Sequence, residues 1–327
     1  MNQEMSLNKI ASILKKGASF LLVTHKDPDP DGIGSMLALG RSLLDAKKKA
    51  VFLTEEPISA PFTLLKGGDR IVQDIEAGDE FDAVVALDCG DRARVGASDI
   101  DLDDNGPLIN IDHHGTNDFF GDINLVDAGS SSTGELIFRV IKKAGFPMGP
   151  DVAENIFTAI QMDTGSFRYE NTTPECLKIA GEMLGYGVKP WELYRKFIDV
   201  HSHARLRLLG MGLGSIEYHY MGKIGIMTLS SEMFKRAGAK QADSEKFVDY
   251  PRFVSGVEIA VLIREKKKNV YKLSLRSNGE ADVASLASRF GGGGHAKAAG
   301  FDYHGHIEDL KKKFLKEAVG LLDEVPC

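Results

Sequence analysis

The residues that could carry out chemistry follow three apolar runs in the first half of the chain. SFLLVTH (19–25) ends at a histidine, FDAVVALD (81–88) at an aspartate and PLINID (107–112) just before two histidines. Further aspartates come soon after the first run. The resulting set of acids and imidazoles is His25, Asp29, Asp31, Asp88, Asp112, His113 and His114.

These runs predict a parallel β-sheet. Each is short, apolar and typical of a strand that is buried on both faces, as is KAVFLT (49–54). Residues 32–46 and 131–145 have helical spacing, and the second stretch opens with Ser/Thr and ends at glycine. Strands alternating with helices predict an α/β domain with helices on both faces of the sheet.

Such a fold would bring the polar residues together, because ligands bind outside the carboxyl ends of parallel strands. Asp163, at the end of the apolar helical run FTAIQMD, is a fourth contributor to that crevice. A single aspartate after a strand is usually a helix cap or a turn former. Capping alone does not account for the whole set.

Several carboxylates in one crevice repel one another unless cations neutralise them. Oxygen-rich sites with a few imidazoles favour Mn²⁺, with Mg²⁺ as the alternative. Phosphoryl chemistry commonly uses two metals about 3.5–4 Å apart, with a bridging hydroxide as nucleophile. Asp88 follows the middle of the three runs and is the expected shared ligand.

Composition restricts the classes of partner. A net charge of −7 opposes binding of long nucleic acid, which depends on many Lys and Arg contacts. We expect no membrane span, because no run approaches about 20 apolar residues. We expect no signal peptide at the N-terminus either. Cys89, Cys176 and Cys327 are widely separated, which is typical of a reducing cytoplasm.

The chain is long enough for two domains. We predict a first domain over 1–186, a helical linker over 187–206 and a smaller α+β domain with a mixed sheet over 207–327. Hairpin-like segments at 215–230 and 257–277 support the last assignment.

The second domain carries a glycine run that could hold a phosphate. A run of this kind is often a flexible hinge, but consecutive glycine amides can also form an anion nest. In the first domain, Arg168 and Tyr169 either contact a base or belong to a packed loop. The predicted substrate-binding residues are Arg168, Arg276, Ser277, Gly292, Gly293, Gly294 and His295.

Five motifs resemble those of the DHH phosphoesterases, in the same order. HKDPDPDGIGS (25–35), ALDCGD (86–91), IDHH (111–114) and MDTGSF (162–167) are similar to the four catalytic motifs. FGGGGHAKAAGF (290–301) is similar to the signature of the DHHA1 domain that follows in one branch of the family.

The resemblance implies roles for individual residues. One metal would lie on His25, Asp29 and Asp88, and the other on Asp31, Asp88, His113 and Asp163. His114 would face the substrate phosphate, and Asp112 would orient a histidine, so that the predicted catalytic residues are Asp88, Asp112 and His114. Manganese is the metal implied.

The resemblance also implies an activity. We expect metal-dependent hydrolysis of short oligoribonucleotides, 3′-phosphoadenosine 5′-phosphate or cyclic dinucleotides to mononucleotides, by a homodimer. Two alternatives are a manganese-dependent inorganic pyrophosphatase and a non-catalytic nucleotide sensor. The glycine run argues against the first, and the complete set of metal-binding positions argues against the second.

Overall fold

The computed structural model describes residues 3–58, 61–76, 78–97, 102, 105–199 and 202–324. The chain divides into two compact units, residues 1–200 and 201–327. This division falls within the predicted linker, 187–206. Cys89 and Cys176 are buried free thiols, and Cys327 lies outside the described residues. Among the described helices, none is long and apolar enough to span a bilayer.

The first unit contains a six-stranded sheet in the order β3-β2-β1-β4-β5-β6. All of its neighbouring strands pair in parallel, which confirms the predicted sheet. The strands are β1 (Ser19–Thr24), β2 (Lys49–Leu53), β3 (Ile71–Val72), β4 (Ala83–Leu87), β5 (Leu108–Asp112) and β6 (Ile123–Val126).

The two strands at the centre of the predicted site are the most deeply buried. Every residue of β4 and of β5 is buried, in accordance with their continuous apolar sequences. Asp88 comes directly after β4, and Asp112 is the last residue of β5. The two carboxylates therefore lie at the same edge of the sheet.

The helices of this unit are α1 (Gln3–Lys16), α2 (Pro30–Asp45), α3 (Thr133–Ala144), α4 (Pro150–Asp163), α5 (Pro174–Gly185) and α6 (Pro190–Tyr194). They pack into one core with alternate side chains of the strands. The described residues that cover the opposite face come from connecting segments, such as Val95 and Leu102, in place of the expected second helical layer. These connections are rich in Asp and Gly, which disfavour helix.

Caps and close packing fix the helices that reach the sheet edge. Asp29 caps α2 by accepting hydrogen bonds from the amides of Asp31 and Gly32. Ser132 caps α3, which ends at Gly145 in the left-handed conformation, as predicted.

Close packing brings α3 against α4 at Gly134. A methyl group on Gly134 would lie 2.4 Å from the Cβ of Ala159, so the two helices can approach this closely only because residue 134 has no side chain.

The second unit contains a six-stranded mixed sheet in the order β11-β12-β10-β9-β8-β7. Only β8 and β9 pair in parallel among its described strands. Its strands are β7 (Glu217–His219), β8 (Ile224–Leu229), β9 (Ile259–Lys267), β10 (Val270–Ser277), β11 (Gly293–His295) and β12 (Ala298–His304). Its helices are α7 (His203–Leu213), α8 (Ser231–Ala237), α9 (Asp249–Arg252), α10 (Val283–Ser288) and α11 (Ile307–Glu324).

Candidate metal centre

His25 lies just beyond β1 with one ring nitrogen directed at two carboxylates. Its Nδ1 lies 2.7 Å from the carbonyl oxygen of Lys26, which can only accept, so Nδ1 carries the proton. Nε2 then has a lone pair, 3.9 Å from Asp29 Oδ1 and 3.7 Å from Asp88 Oδ2. These distances are too long for hydrogen bonds and suit a shared cation.

His113 has a similar environment on the other side of Asp88. Its Nε2 lies 3.7 Å from Oδ2 of Asp31, Oδ1 of Asp88 and Oδ2 of Asp163. Three carboxylates surround one imidazole nitrogen at equal distance. Since one oxygen of Asp88 faces His25 and the other faces His113, this carboxylate lies between the two histidines.

The amino end of α3 holds two buried carboxylates, those of Asp31 and Asp88, in place. The backbone amides of Thr133 and Gly134 donate to opposite oxygens of Asp31, at 2.7 and 2.9 Å. Ser35 donates its hydroxyl to Asp31 Oδ1. The hydroxyl of Thr133 donates to Asp88 Oδ1 at 2.9 Å. One helix start thus orients a carboxylate from the first turn of α2 and the carboxylate that follows β4.

Sequence reasoning did not find this role of Thr133. The segment SSSTGE indicated only a helix cap and its first turn, which the structure confirms. Nothing in the segment shows which carboxylate its amides will meet, because that contact joins residues 102 positions apart.

His114 forms a pair with Asp112 beside this cluster. Its Nδ1 donates to Asp112 Oδ1 at 2.7 Å, and this hydrogen bond is the main reason why the pKa of His114 is raised. Asn117 donates to the other oxygen of Asp112 at 2.6 Å. Asp112 is fully buried, whereas the His114 side chain is 43 % exposed. The Nε2 of His114 is therefore the donor available to a substrate.

The carboxylates are electrostatically unfavourable without cations. Burial raises the pKa of Asp31 to about 7, with further contributions from Asp163 and Asp29. Burial and the charges of Asp31 and Asp29 raise the pKa of Asp88 well above its usual range. Divalent cations would remove both penalties.

The donors form three groups that could each hold a metal ion, with ligand atoms within 4.8 Å of one another. Asp88 and His113 each belong to two of the groups. The groups are His25, Asp29 and Asp88; Asp31, His113 and Asp163; and Asp88, His113 and His114. All six predicted metal ligands are thus brought together, and their carboxylate and imidazole donors fit divalent cations such as Mn²⁺.

Asp163 ends α4, and a tight turn follows it. Asn171 donates to its carboxylate at 3.1 Å. Gly165, Ser166 and Phe167 have φ of 56°, 59° and 62°, so the turn is left-handed at two residues that are not glycine. Arg168 comes next; its Nε donates to the carbonyl of Gly165, and the residue is exposed. Its predicted contact with a base stays a prediction.

In the second unit the structure aligns two of the predicted substrate-binding residues. Arg276 of β10 and His295 of β11 both pair with Ala298 of β12, so all three side chains lie on one face. Only the methyl group of Ala298 stands between the two long side chains. The arrangement fits an anion between a guanidinium and an imidazole.

The other predicted residues of this unit have different environments. Gly292 touches β12 so closely that a methyl group would lie 2.2 Å from the carbonyl oxygen of Gly300. Gly293 and Gly294 form an exposed strand, and Gly294 has a φ of 144°. Ser277 is not brought to the shared face: it is 5 % exposed and donates to the carbonyl of Gly279.

Known proteins share this architecture. Residues 19–160 match the DHH family N-terminal domain, and residues 223–324 match the DHHA1 domain. The bifunctional oligoribonuclease and PAP phosphatase NrnA of Thermus thermophilus is 34% identical over 95% of this chain and 92% of its own length. The chain belongs to the DHH family. NrnA of Bacillus subtilis is 26% identical over 86% of this chain and 88% of its own length.

A solved structure agrees with the assignment to the DHH family. An exopolyphosphatase-related protein from Bacteroides fragilis superposes with a TM-score of 0.82 at 27% identity, covering 98% of this chain and 96% of that one. The protein is thus a phosphoesterase of the DHH family, as its motifs predicted.

Proposed function

We propose that this enzyme hydrolyses short oligoribonucleotides and 3′-phosphoadenosine 5′-phosphate to mononucleotides. The names of two relatives, which align along nearly their whole lengths, support these substrates. The carboxylate and imidazole groups that overlap at Asp88 are the observation that carries the proposal. The DHHA1 match favours a phosphodiesterase over a manganese-dependent inorganic pyrophosphatase. The second domain of such pyrophosphatases lacks the glycine run.

We propose two divalent cations, Mn²⁺ in preference to Mg²⁺, as cofactors. His25, Asp29 and Asp88 would hold one, and Asp31, Asp88, His113 and Asp163 the other. When bound, a pair of cations activates water as a nucleophile and neutralises charge on the phosphoryl group. Asp88 is suited to serve both, since its two oxygens face different histidines.

The chain's own residues would place and protonate the substrate. His114 has its Nδ1–H fixed on Asp112, which leaves Nε2 as a donor to a phosphate oxygen or to the departing oxygen. Asp112 keeps the imidazole oriented, and Asn117 keeps Asp112 oriented. The raised pKa of His114 favours the protonated ring that such a donor needs.

The second unit would recognise a terminal phosphate of the substrate. Arg276 and His295 supply charge on one sheet face, and the adjacent glycine strand lets a phosphate approach the backbone. We also propose a cytoplasmic homodimer; light scattering in solution tests the dimer.

A turnover panel tests the proposal. Purified protein with Mn²⁺ or Mg²⁺ is given 3′-phosphoadenosine 5′-phosphate, 5′-phosphorylated dinucleotides, five-nucleotide RNA, cyclic di-AMP and pyrophosphate. We expect hydrolysis of the short RNAs and of 3′-phosphoadenosine 5′-phosphate, and loss of turnover in Asp88→Asn. Asp69→Asn, an exposed aspartate outside the site, is the control for the charge change. Turnover of pyrophosphate alone, or an active Asp88→Asn, would refute the proposal.

A further inference from the structure

A cleft of about 450 Å³ opens beside His25. Its walls come from the turn after β1 and from the segment after β2, so it extends the same sheet edge that carries the candidate metal ligands. A volume of this size is typical of a small-molecule site. His25 lines this cleft and also belongs to the carboxylate–histidine cluster. A group bound in the cleft would therefore lie next to a phosphate bound at that cluster.

Part of the cleft wall is apolar and stiff. Pro28, Pro57, Ile58 and Phe62 line it. Phe62 is partly buried and packs against the ring of Phe197, with centroids 6.0 Å apart, so its own ring is held in position. Flat rings beside a phosphate site are suited to stacking with a nucleobase.

The side-chain charges around the cleft disfavour a second phosphate. Asp27, Glu55 and Glu56 contribute three carboxylates, against the single ammonium group of Lys26. Lys26 also pairs with Glu55 at 3.7 Å, which reduces its attraction for an anion. The cleft therefore fits the uncharged part of a nucleotide.

Carboxylates at the rim accept hydrogen bonds, so they favour bases that present amino groups. Adenine, guanine and cytosine carry such groups, whereas uracil presents two carbonyl oxygens and a single N–H. Of these three bases, the two-ring purines offer the larger face for stacking on Phe62. Thr54 fixes the segment that bears Glu56 by donating its hydroxyl to the Glu56 carbonyl at 2.8 Å.

We propose that this cleft binds a purine base of the substrate, with stacking on Phe62 and hydrogen bonding to Glu56. The inference depends on the proposed function, for which it specifies the preferred base.

The test compares kcat/KM for pApA and pGpG with that for pUpU, using an abasic dinucleotide phosphodiester to measure the chemistry alone. In Phe62→Ala and Glu56→Gln we expect the purine-to-uracil ratio to fall by on the order of tenfold, the usual loss on removing a stacking ring or polar base contact. Turnover of the abasic substrate should stay within about twofold, since neither residue belongs to the metal centre.

Matched controls separate the cleft from its surroundings. Leu64→Ala changes an exposed side chain of the same short helix as Phe62, and Glu80→Gln makes the same charge change as Glu56→Gln outside the cleft. Both should keep the wild-type ratio. An unchanged ratio in Phe62→Ala and Glu56→Gln, or no purine preference in the wild type, would overturn the inference while leaving the phosphodiesterase activity standing. If the wild type hydrolyses none of these substrates, the proposed function fails as well.

Discussion

At the scale of single residues, the site depends on the donors that hold its carboxylates. Asp88 lies between two histidines, but it is the buried hydroxyl of Thr133 that fixes one of its oxygens. Groups of this kind commonly change metal affinity or activity by about 10–100-fold when they are removed. A substitution that removes the Thr133 hydroxyl therefore tests the proposed metal site, as a substitution of a ligand does.

We expect Thr133→Val to raise the Mn²⁺ concentration needed for half-maximal turnover by about tenfold or more. The change keeps the shape of the side chain and the amide that donates to Asp31, but it removes the donor to Asp88. Thr133→Ser keeps the hydroxyl and should remain near the wild type. Equal metal requirements in Thr133→Val and Thr133→Ser would show that the hydrogen bond has no such role.

The raised carboxyl pKa values predict how stability depends on pH. In the metal-free protein, folding raises the pKa of Asp31 to about 7 and that of Asp88 well above its usual range. The folded state then binds more protons than the unfolded chain above about pH 4, so the free energy of unfolding falls as pH rises toward 7. Divalent cations at the proposed site would bind the ionised carboxylates, so their stabilising effect would grow over the same range.

Thermal unfolding with chelator and with Mn²⁺, at about pH 5.5 and about pH 8, measures this effect. We expect the increase in Tm caused by Mn²⁺ to be larger at the higher pH. The Asp88→Asn variant should show a smaller increase at both values. A metal-induced increase that is the same at both values would contradict the assignment of these carboxyls as ligands.

At the scale of elements, the position of α3 links the packing of the first unit to its site. Gly134 lets α3 lie against α4, and its amide donates to Asp31. Gly134→Ala would place a methyl group 2.4 Å from the Cβ of Ala159. We expect a loss of about 1–3 kcal/mol in the free energy of unfolding, measured with denaturant, together with weaker Mn²⁺ binding.

Gly181 of α5 provides the matched control, because a methyl group there meets nothing within 4 Å. Gly181→Ala should stabilise the protein by about 0.5–1 kcal/mol, the usual gain for alanine over glycine inside a helix. If both substitutions changed stability in the same direction, close packing at Gly134 would not be the cause.

The elements also show what the sequence could predict. Continuous apolar runs identified β1, β2, β4 and β5, and the positions of Asp88 and Asp112 at strand ends were enough to predict a shared site. Local signals also predicted the cap and the glycine end of α3. These features depend on residues close together in the chain, which is why the pattern revealed them.

Features that depend on distant residues were not predictable. The amides of α3 have no sequence signature for the carboxylate they meet. The strand β3 was missed for a different reason, because two residues are too few to give a periodic pattern. The second helical layer was expected because parallel sheets are usually covered by helices on both faces. In the described residues, side chains such as Val95 and Leu102 cover that face from the segments that connect the strands.

At the scale of the whole molecule, each unit has hydrophobic clusters of its own. Ile109 and Leu136 belong to the largest cluster of the first unit, and Leu273 and Phe314 to that of the second. Every candidate metal ligand lies in the first unit. Metal binding should therefore stabilise the first unit directly, because a ligand stabilises the folded state of the unit that binds it.

We expect calorimetry of the full chain to show two unfolding transitions, since separate cores unfold as separate cooperative units. Mn²⁺ should raise the midpoint of the transition that belongs to the first unit and leave the other within about one degree, because only the first unit gains binding free energy. Asp88→Asn identifies the metal-sensitive transition by reducing its shift, and Leu273→Ala identifies the other by lowering its midpoint. A single transition that moves as a whole with Mn²⁺ would show instead that the two units unfold cooperatively, and that the metal centre stabilises the entire chain.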